Sequence, residues 1–337
     1  MPNRPRTRRG YVGMNIDEVA RRAGVSRAAV SRYFNNGYIS DEKRRAIARV
    51  VSQTGFRPSP QAKNLRTGRT MLVEFVTTHL DDPSVAHTVG GLTSRLRSRG
   101  YRLLLETAHN VNEELERLEA CTDPRFVDGL VFTGSSIDGQ LADRLDALSV
   151  PVVVIGQSGT GHASVTHDDH GAVHELTQGV LRDSSHPAFL GLNENVYCTA
   201  DERRHGFLDA CAEAGVTVPH DAVLRVDPAA ATAAACRIMD AHPETDAFVC
   251  SSDTLAGGVI RAAHHTGRSV PEDIQVTGIG NDLVSRNGSL ALTTAEMYGE
   301  KTGEAAADLM CDIITGRRDK LEQVRLGYGA RWRATTL

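Results

Sequence analysis

The 337-residue chain has no apolar run of membrane-spanning length, and its basic first thirteen residues are not followed by the hydrophobic stretch a secretion signal requires. These absences argue against a membrane protein and an exported binding protein, and predict a cytoplasmic one. Residues 1–13 are expected to be a DNA-touching arm or the product of a misplaced start codon ahead of Met14. The six cysteines, Cys121, Cys198, Cys211, Cys236, Cys250 and Cys311, include no pair at metal-ligand spacing, and most sit in apolar patterns as small core residues. His162, His167 and His170 cluster in the sequence but lack a helical His-Glu framework, so they read as loop histidines and no metal is expected. Gly156, Gly159 and Gly161 have the wrong spacing for a dinucleotide fingerprint and read as a turn. No paired carboxylates and no nucleophile with its base stand out, so neither an enzyme nor a cofactor is expected.

Charge is divided unevenly along the chain. Residues 1–69 hold 16 Lys and Arg against 4 Asp and Glu, a net of +12; the remainder holds 22 against 38, a net of −16, and the two sum to −4. A basic head on an acidic body implies a polyanionic partner for one end only.

That head is densely punctuated. Asn15 can cap a helix over Ile16 to Ala23, with Glu18 closing a capping box and Gly24 supplying the left-handed terminator. Ser26 caps a second helix over Arg27 to Phe34, so only Gly24 and Val25 separate the two, the tight connection of a helix-turn-helix. Val19, Ala20, Ala23, Val25 and Val30 form the expected small core. Ser40 caps a third helix that carries Ile47, Val50 and Val51 and stops at Gly55. Ser59 and Pro60 can open a further short helix through Arg66, too short to be stable alone.

From Met71 the pattern alternates strands and helices. Apolar strand-length runs at Met71 to Thr77, Arg102 to Glu106, Gly129 to Thr133 and Val152 to Ile155 are separated by helical stretches. After a helix near Ala172 to Leu181 the rhythm restarts at Ala188 to Leu192, Val223 to Val226, Ala247 to Ser251 and Ile274 to Ile279. Such alternation predicts parallel sheets in two lobes, with a ligand cleft beyond the carboxyl ends of the strands.

The head resembles that of the lactose and galactose repressor family of bacterial transcription regulators. The resemblance lies in Ile16-Asp17-Glu18-Val19-Ala20, Ala23-Gly24-Val25-Ser26, Val30-Ser31-Arg32, Asn35, Gly55-Phe56-Arg57-Pro58 and Leu65-Arg66-Thr67-Gly68-Arg69. It implies an all-α helix-turn-helix head plus an α/β two-lobed effector domain of the type I periplasmic-binding-protein kind. The expected divisions are a basic arm over 1–14, a DNA-binding domain over 15–58, a hinge helix and linker over 59–69, and an effector-binding and dimerisation domain over 70–337. The implied partners are double-stranded operator DNA, a second copy in a homodimer, and a small-molecule effector; no membrane is involved.

Specific residues follow from the resemblance. Arg27, Ala28 and Arg32 are expected to read bases in the major groove, while Asn15, Ser26, Ser31 and Asn35 contact phosphates. The serines have a plainer alternative in helix capping. Leu65, beside Arg66, is expected to wedge into the minor groove at paired hinge helices, the alternative being a linker residue packed on the body. In the body Arg203 stands at the usual ligand-anchoring position and Asp253 at the matching acceptor, where an N-cap role is equally compatible. A closer similarity to repressors of trehalose operons rests on Asp168-Asp169-His170-Gly171-Ala172, Arg203-Arg204-His205, Asp253-Thr254-Leu255-Ala256 and Gly280-Asn281. A phosphorylated disaccharide would call for cationic clamps after the first and fourth strands; His79 and Gln157 stand there, so an unphosphorylated oligosaccharide is at least as compatible. The expected function is a carbohydrate-operon repressor released by a sugar or sugar phosphate, the alternatives being a co-repressor or a non-sugar effector.

Overall fold

The computed structural model describes residues 14–56, 68–78, 80, 82–120, 125–193, 199–217, 220–224, 227–287 and 291–337. The N-terminal arm over 1–13, the hinge residues Leu65 and Arg66, the cleft candidate His79, and Cys121 and Cys198 lie outside the described residues. The chain divides into two compact units, Met1–Thr70 and Met71–Leu337.

In the first unit three helices form, α1 (Ile16–Ala23), α2 (Arg27–Phe34) and α3 (Asp41–Thr54), each opened by a side-chain cap. Asn15 Oδ1 accepts from Glu18 N at 2.8 Å, Ser26 Oγ from Ala29 N at 3.2 Å and Ser40 Oγ from Lys43 N at 3.5 Å. The capping box closes only halfway: the Glu18 carboxylate turns to Arg21 and Arg22, one helical turn on, because two guanidinium forks outbid a single backbone N–H. Gly24 and Gly55, both at φ 64°, end α1 and α3 in the left-handed conformation that lacks a Cβ penalty. The core differs from expectation. Ala23 and Val25 are only partly buried, and Ile39, Ile47, Val50 and Phe56 complete the set around Val19, Ala20, Ala29 and Val30. Phe56 reaches this core through an edge-on contact with Phe34 at 5.7 Å.

The second unit is built on two six-stranded sheets. The first has the order β11-β5-β4-β3-β1-β2, from Leu72–Thr77 (β1), Arg102–Thr107 (β2), Gly129–Thr133 (β3), Val152–Ile155 (β4), Ala163–His167 (β5) and Gln323–Leu326 (β11). The second has the order β12-β10-β9-β8-β6-β7, from Pro187–Leu192 (β6), His220–Leu224 (β7), Ala247–Cys250 (β8), Gln275–Ile279 (β9), Thr293–Glu296 (β10) and Gly329–Arg331 (β12). All pairings are parallel except β10 with β12. Helices α4 (Pro83–Ser98), α5 (Val111–Ala120) and α6 (Gly139–Asp146) serve the first lobe. The second carries α7 (Asp169–Val180), α8 (Ala200–Glu213), α9 (Pro228–Ala241), α10 (Asp253–His265) and α11 (Leu283–Asn287).

The chain crosses between lobes three times: from β5 to α7, from β10 to α12 (Gly299–Ile314), and from β11 to β12. Helix α12 therefore returns to the first lobe, where Ala306, Ala307, Leu309, Met310 and Ile313 join the core of Val73, Phe75, Leu92, Val131 and Val153. Its approach to α4 is close, since a Cβ on Gly303 would collide with Thr88 O and Leu92 N, and one on Gly91 with Glu300 O. Four strands were not expected from the sequence: β5, β10, β11 and β12. Strand β5 corrects the reading of His167 as a loop residue; it ends that strand and is partly buried, its Nε2 within 2.8 Å of Thr302 Oγ1. No helix among the described residues is long and apolar enough to cross a membrane.

Candidate functional site

On the head, α2 presents one face to solvent. Ala29 and Val30 point into the core, whereas Arg27, Ala28 and Arg32 are exposed. Ala28 and Arg32 are four residues apart and so share a face. Among the described residues Arg27 is tethered only by a long 3.5 Å contact with Asp17, both side chains being mostly exposed. Such pairs are worth little, so the guanidinium can be surrendered to a base edge at small cost. Ser26 caps its own helix through Oγ, and Asn35 Nδ2 donates to Ser31 O at 2.6 Å. Asn15 is likewise occupied as the cap of α1. The phosphate candidates are therefore first of all the residues that shape the helix ends.

In the body a cleft opens where strands of both sheets end. Thr77 and Thr133 come from the first lobe, at the β1/β3 switch point of a 2-1-3-4-5 sheet order. Leu192, Arg203, Ser252, Thr254 and Asp282 come from the second, and His167, Met297 and Thr302 from the crossing segments. Arg203, on the first turn of α8, donates through Nε to Asp169 Oδ1 and through Nη1 to the Ser251 carbonyl, each at 2.7 Å. Its Nη2 and Asp169 Oδ2 have no partner among the described residues, leaving a donor and an acceptor side by side at the cleft. Burial holds His167 below the usual imidazole range, the Asp169 charge opposing this effect and the Arg203 charge adding to it.

The other expected effector residues stand elsewhere. Asp253 is 1% exposed: it is the first residue of α10 rather than its cap, which is Ser252, and it does not line the cleft. Its Oδ1 accepts from Thr294 Oγ1 and its Oδ2 from Asp282 N at 2.9 Å, while burial pushes its carboxyl upward. Asn281 is also buried, at φ 58°, with Oδ1 accepting from Arg333 Nη2. Gln157 spends its amide on backbone, accepting from Ile137 N at 2.8 Å and donating to Ser135 O at 3.0 Å. The carboxylates that do line the cleft are Asp82, Asp169 and Asp282. Asp169 belongs to the Asp168-Asp169-His170-Gly171-Ala172 motif; Asp82 and Asp282 carry no sequence signal beyond following the first and the fourth strand of their lobes. Among the described residues no group of three or more His, Cys, Asp or Glu side chains could hold a metal ion.

An exposed recognition-type helix on a basic head, and a hinged two-lobed body with a polar cleft, define a DNA-binding transcriptional repressor with a small-molecule effector. A model of the lacI family of bacterial regulatory proteins matches residues 15–59, and one of a periplasmic binding protein-like domain matches residues 182–336. The head thus matches the lacI family model and the second half of the body the periplasmic-binding-protein-like one. It is 28% identical over 318 residues to the HTH-type transcriptional repressor PurR of Erwinia tasmaniensis, covering 92% of this chain and 93% of that protein. With PurR of Pectobacterium atrosepticum the identity is 29% over 314 residues, covering 90% and 91%. Among solved structures, a transcriptional regulator CelR–cellobiose complex matches at 25% identity with a TM-score of 0.73, covering 96% of this chain and all of that one (100%). The lac repressor dimer bound to operator and the anti-inducer ONPF shares the fold, with a TM-score of 0.88 at 20% identity over 96% and 99% of the two chains. These relatives are repressors or regulators.

Proposed function

We propose that the protein represses a carbohydrate-utilisation operon as a homodimer on a pseudo-palindromic operator, and that an unphosphorylated sugar in the cleft releases it. The observation that carries this reading is the Arg203–Asp169 ion pair at the cleft wall, joined Nε to Oδ1 at 2.7 Å, which leaves Nη2 as a donor and Oδ2 as an acceptor for sugar hydroxyls. Hydroxyls of Thr77, Thr133, Ser252, Thr254 and Thr302 line the same space, and Ile279 and Met297 offer apolar surface for the faces of a sugar ring. Against a phosphate stands the charge balance: Arg203 is already neutralised by Asp169, and Asp82 and Asp282 add negative charge. The motifs shared with trehalose-operon repressors and the cellobiose bound by the CelR relative both favour a disaccharide.

Ligand bound between lobes would change their angle and so separate the two hinge segments, with Leu65 and Arg66 leaving the minor groove. Coupling requires that the sugar bind the two states unequally. Titrating labelled operator with cellobiose, trehalose and trehalose 6-phosphate tests the proposal. Release by an unphosphorylated sugar is expected; a panel that leaves operator affinity unchanged removes the sugar, and a panel that strengthens binding replaces induction by co-repression.

A further inference from the structure

Two buried polar atoms of cleft-lining residues have no hydrogen-bond partner among the described residues. Thr77 Oγ1 is one, at the end of β1 on a residue 1% exposed; Asp282 Oδ1 is the other, just after β9 on a residue 9% exposed. Native proteins pair such atoms, and an unpaired buried carboxylate oxygen is costly enough to call for an explanation. No described cation supplies one. Arg286, the nearest along the chain, donates its Nε to Asn281 O; Arg333 is taken by Asn281 and Leu292 O; Arg203 is taken by Asp169 and Ser251 O.

A second carboxylate meets Asp282 from the other lobe. Asp82 caps α4, giving Oδ1 to Ser84 N at 2.8 Å and to Ser84 Oγ at 2.7 Å, while its Oδ2 has no partner among the described residues. Both aspartates line the cleft. Burial raises the Asp282 carboxyl to about 7, with the charges of Asp253 beneath it and Asp82 across the cleft adding to the rise and Arg286 opposing it. The two lobes thus bring two carboxylates to the cleft, one of them with an unpaired buried oxygen.

We infer that the effector carries a protonated nitrogen that seats between Asp282 and Asp82, which makes an amino sugar the fitting ligand class. The inference rests on the reading of this cleft as a sugar site. Arg203 and Asp169 take the ring hydroxyls, and the ammonium supplies donors to Asp282 Oδ1, Asp82 Oδ2 and Thr77 Oγ1, three acceptors that a single hydroxyl cannot satisfy.

The test compares each amine with its alcohol: D-glucosamine with D-glucose, D-galactosamine with D-galactose, and fully deacetylated chitobiose with cellobiose. Binding to the full-length protein is measured by calorimetry and by release of labelled operator. At least one amine is expected to bind roughly 10- to 100-fold tighter than its alcohol, the range for hydrogen bonds to charged groups. That preference should vanish in Asp282→Asn and shrink in Asp82→Asn, which keeps the helix cap because Asn caps as well as Asp. Neutral sugars binding as tightly as their amines, or a preference that survives Asp282→Asn, overturns the amine but leaves the sugar cleft standing. Silence toward all six compounds overturns both.

Discussion

Arg203 on α8 and Asp169 at the start of α7 form a largely buried ion pair at 2.7 Å, and the same guanidinium also holds the carbonyl of Ser251 at the end of β8. One side chain therefore ties the wall of the cleft to two neighbouring elements. Arg203→Ala should abolish the effector response while sparing operator binding. It should also cost about 3 to 5 kcal/mol of body stability, because Asp169 is left charged and buried without its partner. The double variant Arg203→Gln with Asp169→Asn should recover much of that stability but none of the response. Thermal unfolding and operator release, measured on both variants, separate the two effects; a single variant that still responds to sugar would move the anchor elsewhere.

On the head, the exposure of Arg32 and its shared face with Ala28 predict a base reader rather than a phosphate tether. Arg32→Ala should cost about 1 to 3 kcal/mol on the preferred operator and relax selectivity at one base pair. Its effect on the salt dependence of nonspecific binding should be no more than that of one lost cation. A variant that weakens all sequences equally would mark Arg32 as a phosphate contact.

Leu65→Ala tests the hinge, whose assignment rests on the sequence resemblance. A minor-groove wedge is worth a few kcal/mol of unstacking and bending, so specific affinity should fall while nonspecific affinity holds. Operator curvature followed by gel mobility should decrease in parallel, and unchanged affinity and curvature together would return Leu65 to a linker role.

Helix ends were the most legible feature, because the signals are local: Asn15, Ser26, Ser40, Gly24 and Gly55 each act within four residues. Strands β10, β11 and β12 were not legible. Thr293–Glu296 and Gln323–Leu326 are polar and short, and they become strands only because an existing sheet edge receives them. The cleft was half legible. Arg203 and Asp169 sit in motifs, whereas Asp253 and Asn281 have the right residue types at positions that the fold buries beneath Asp282 and against Arg333. Which of two adjacent polar residues faces a cleft depends on the turn after β9, where Gly280 has φ 139° and Asn281 φ 58°, and no residue pattern reveals that.

Packing of the returning helix gives a stability prediction. Gly303 on α12 lies against Thr88 and Leu92 of α4, with backbone atoms where a Cβ would be. Backbone cannot yield as a flexible side chain can, so Gly303→Ala should destabilise the body by about 1 to 3 kcal/mol despite the better helix propensity of alanine. Gly257→Ala on α10, where nothing lies within 4 Å of the added Cβ, is the control and should be neutral or stabilising. The denaturant midpoint should fall in Gly303→Ala and hold or rise in Gly257→Ala.

The raised carboxyl of Asp282 makes stability depend on pH with a definite sign. An unfolded chain ionises it near its ordinary value of 3.8, the folded chain near 7, so between these limits the folded state binds the extra proton. Stability therefore falls as pH rises through this window and levels off above it, at a cost of roughly 2 to 4 kcal/mol relative to an uncharged side chain. Asp282→Asn removes the titration while keeping the shape. Its melting temperature should exceed that of the parent most at pH 8, and the gap should narrow steadily toward pH 5, where the native carboxyl is already neutral. A gap independent of pH would mean that Asp282 is not the group responsible, and that the negative spot in the cleft is compensated by something other than a proton.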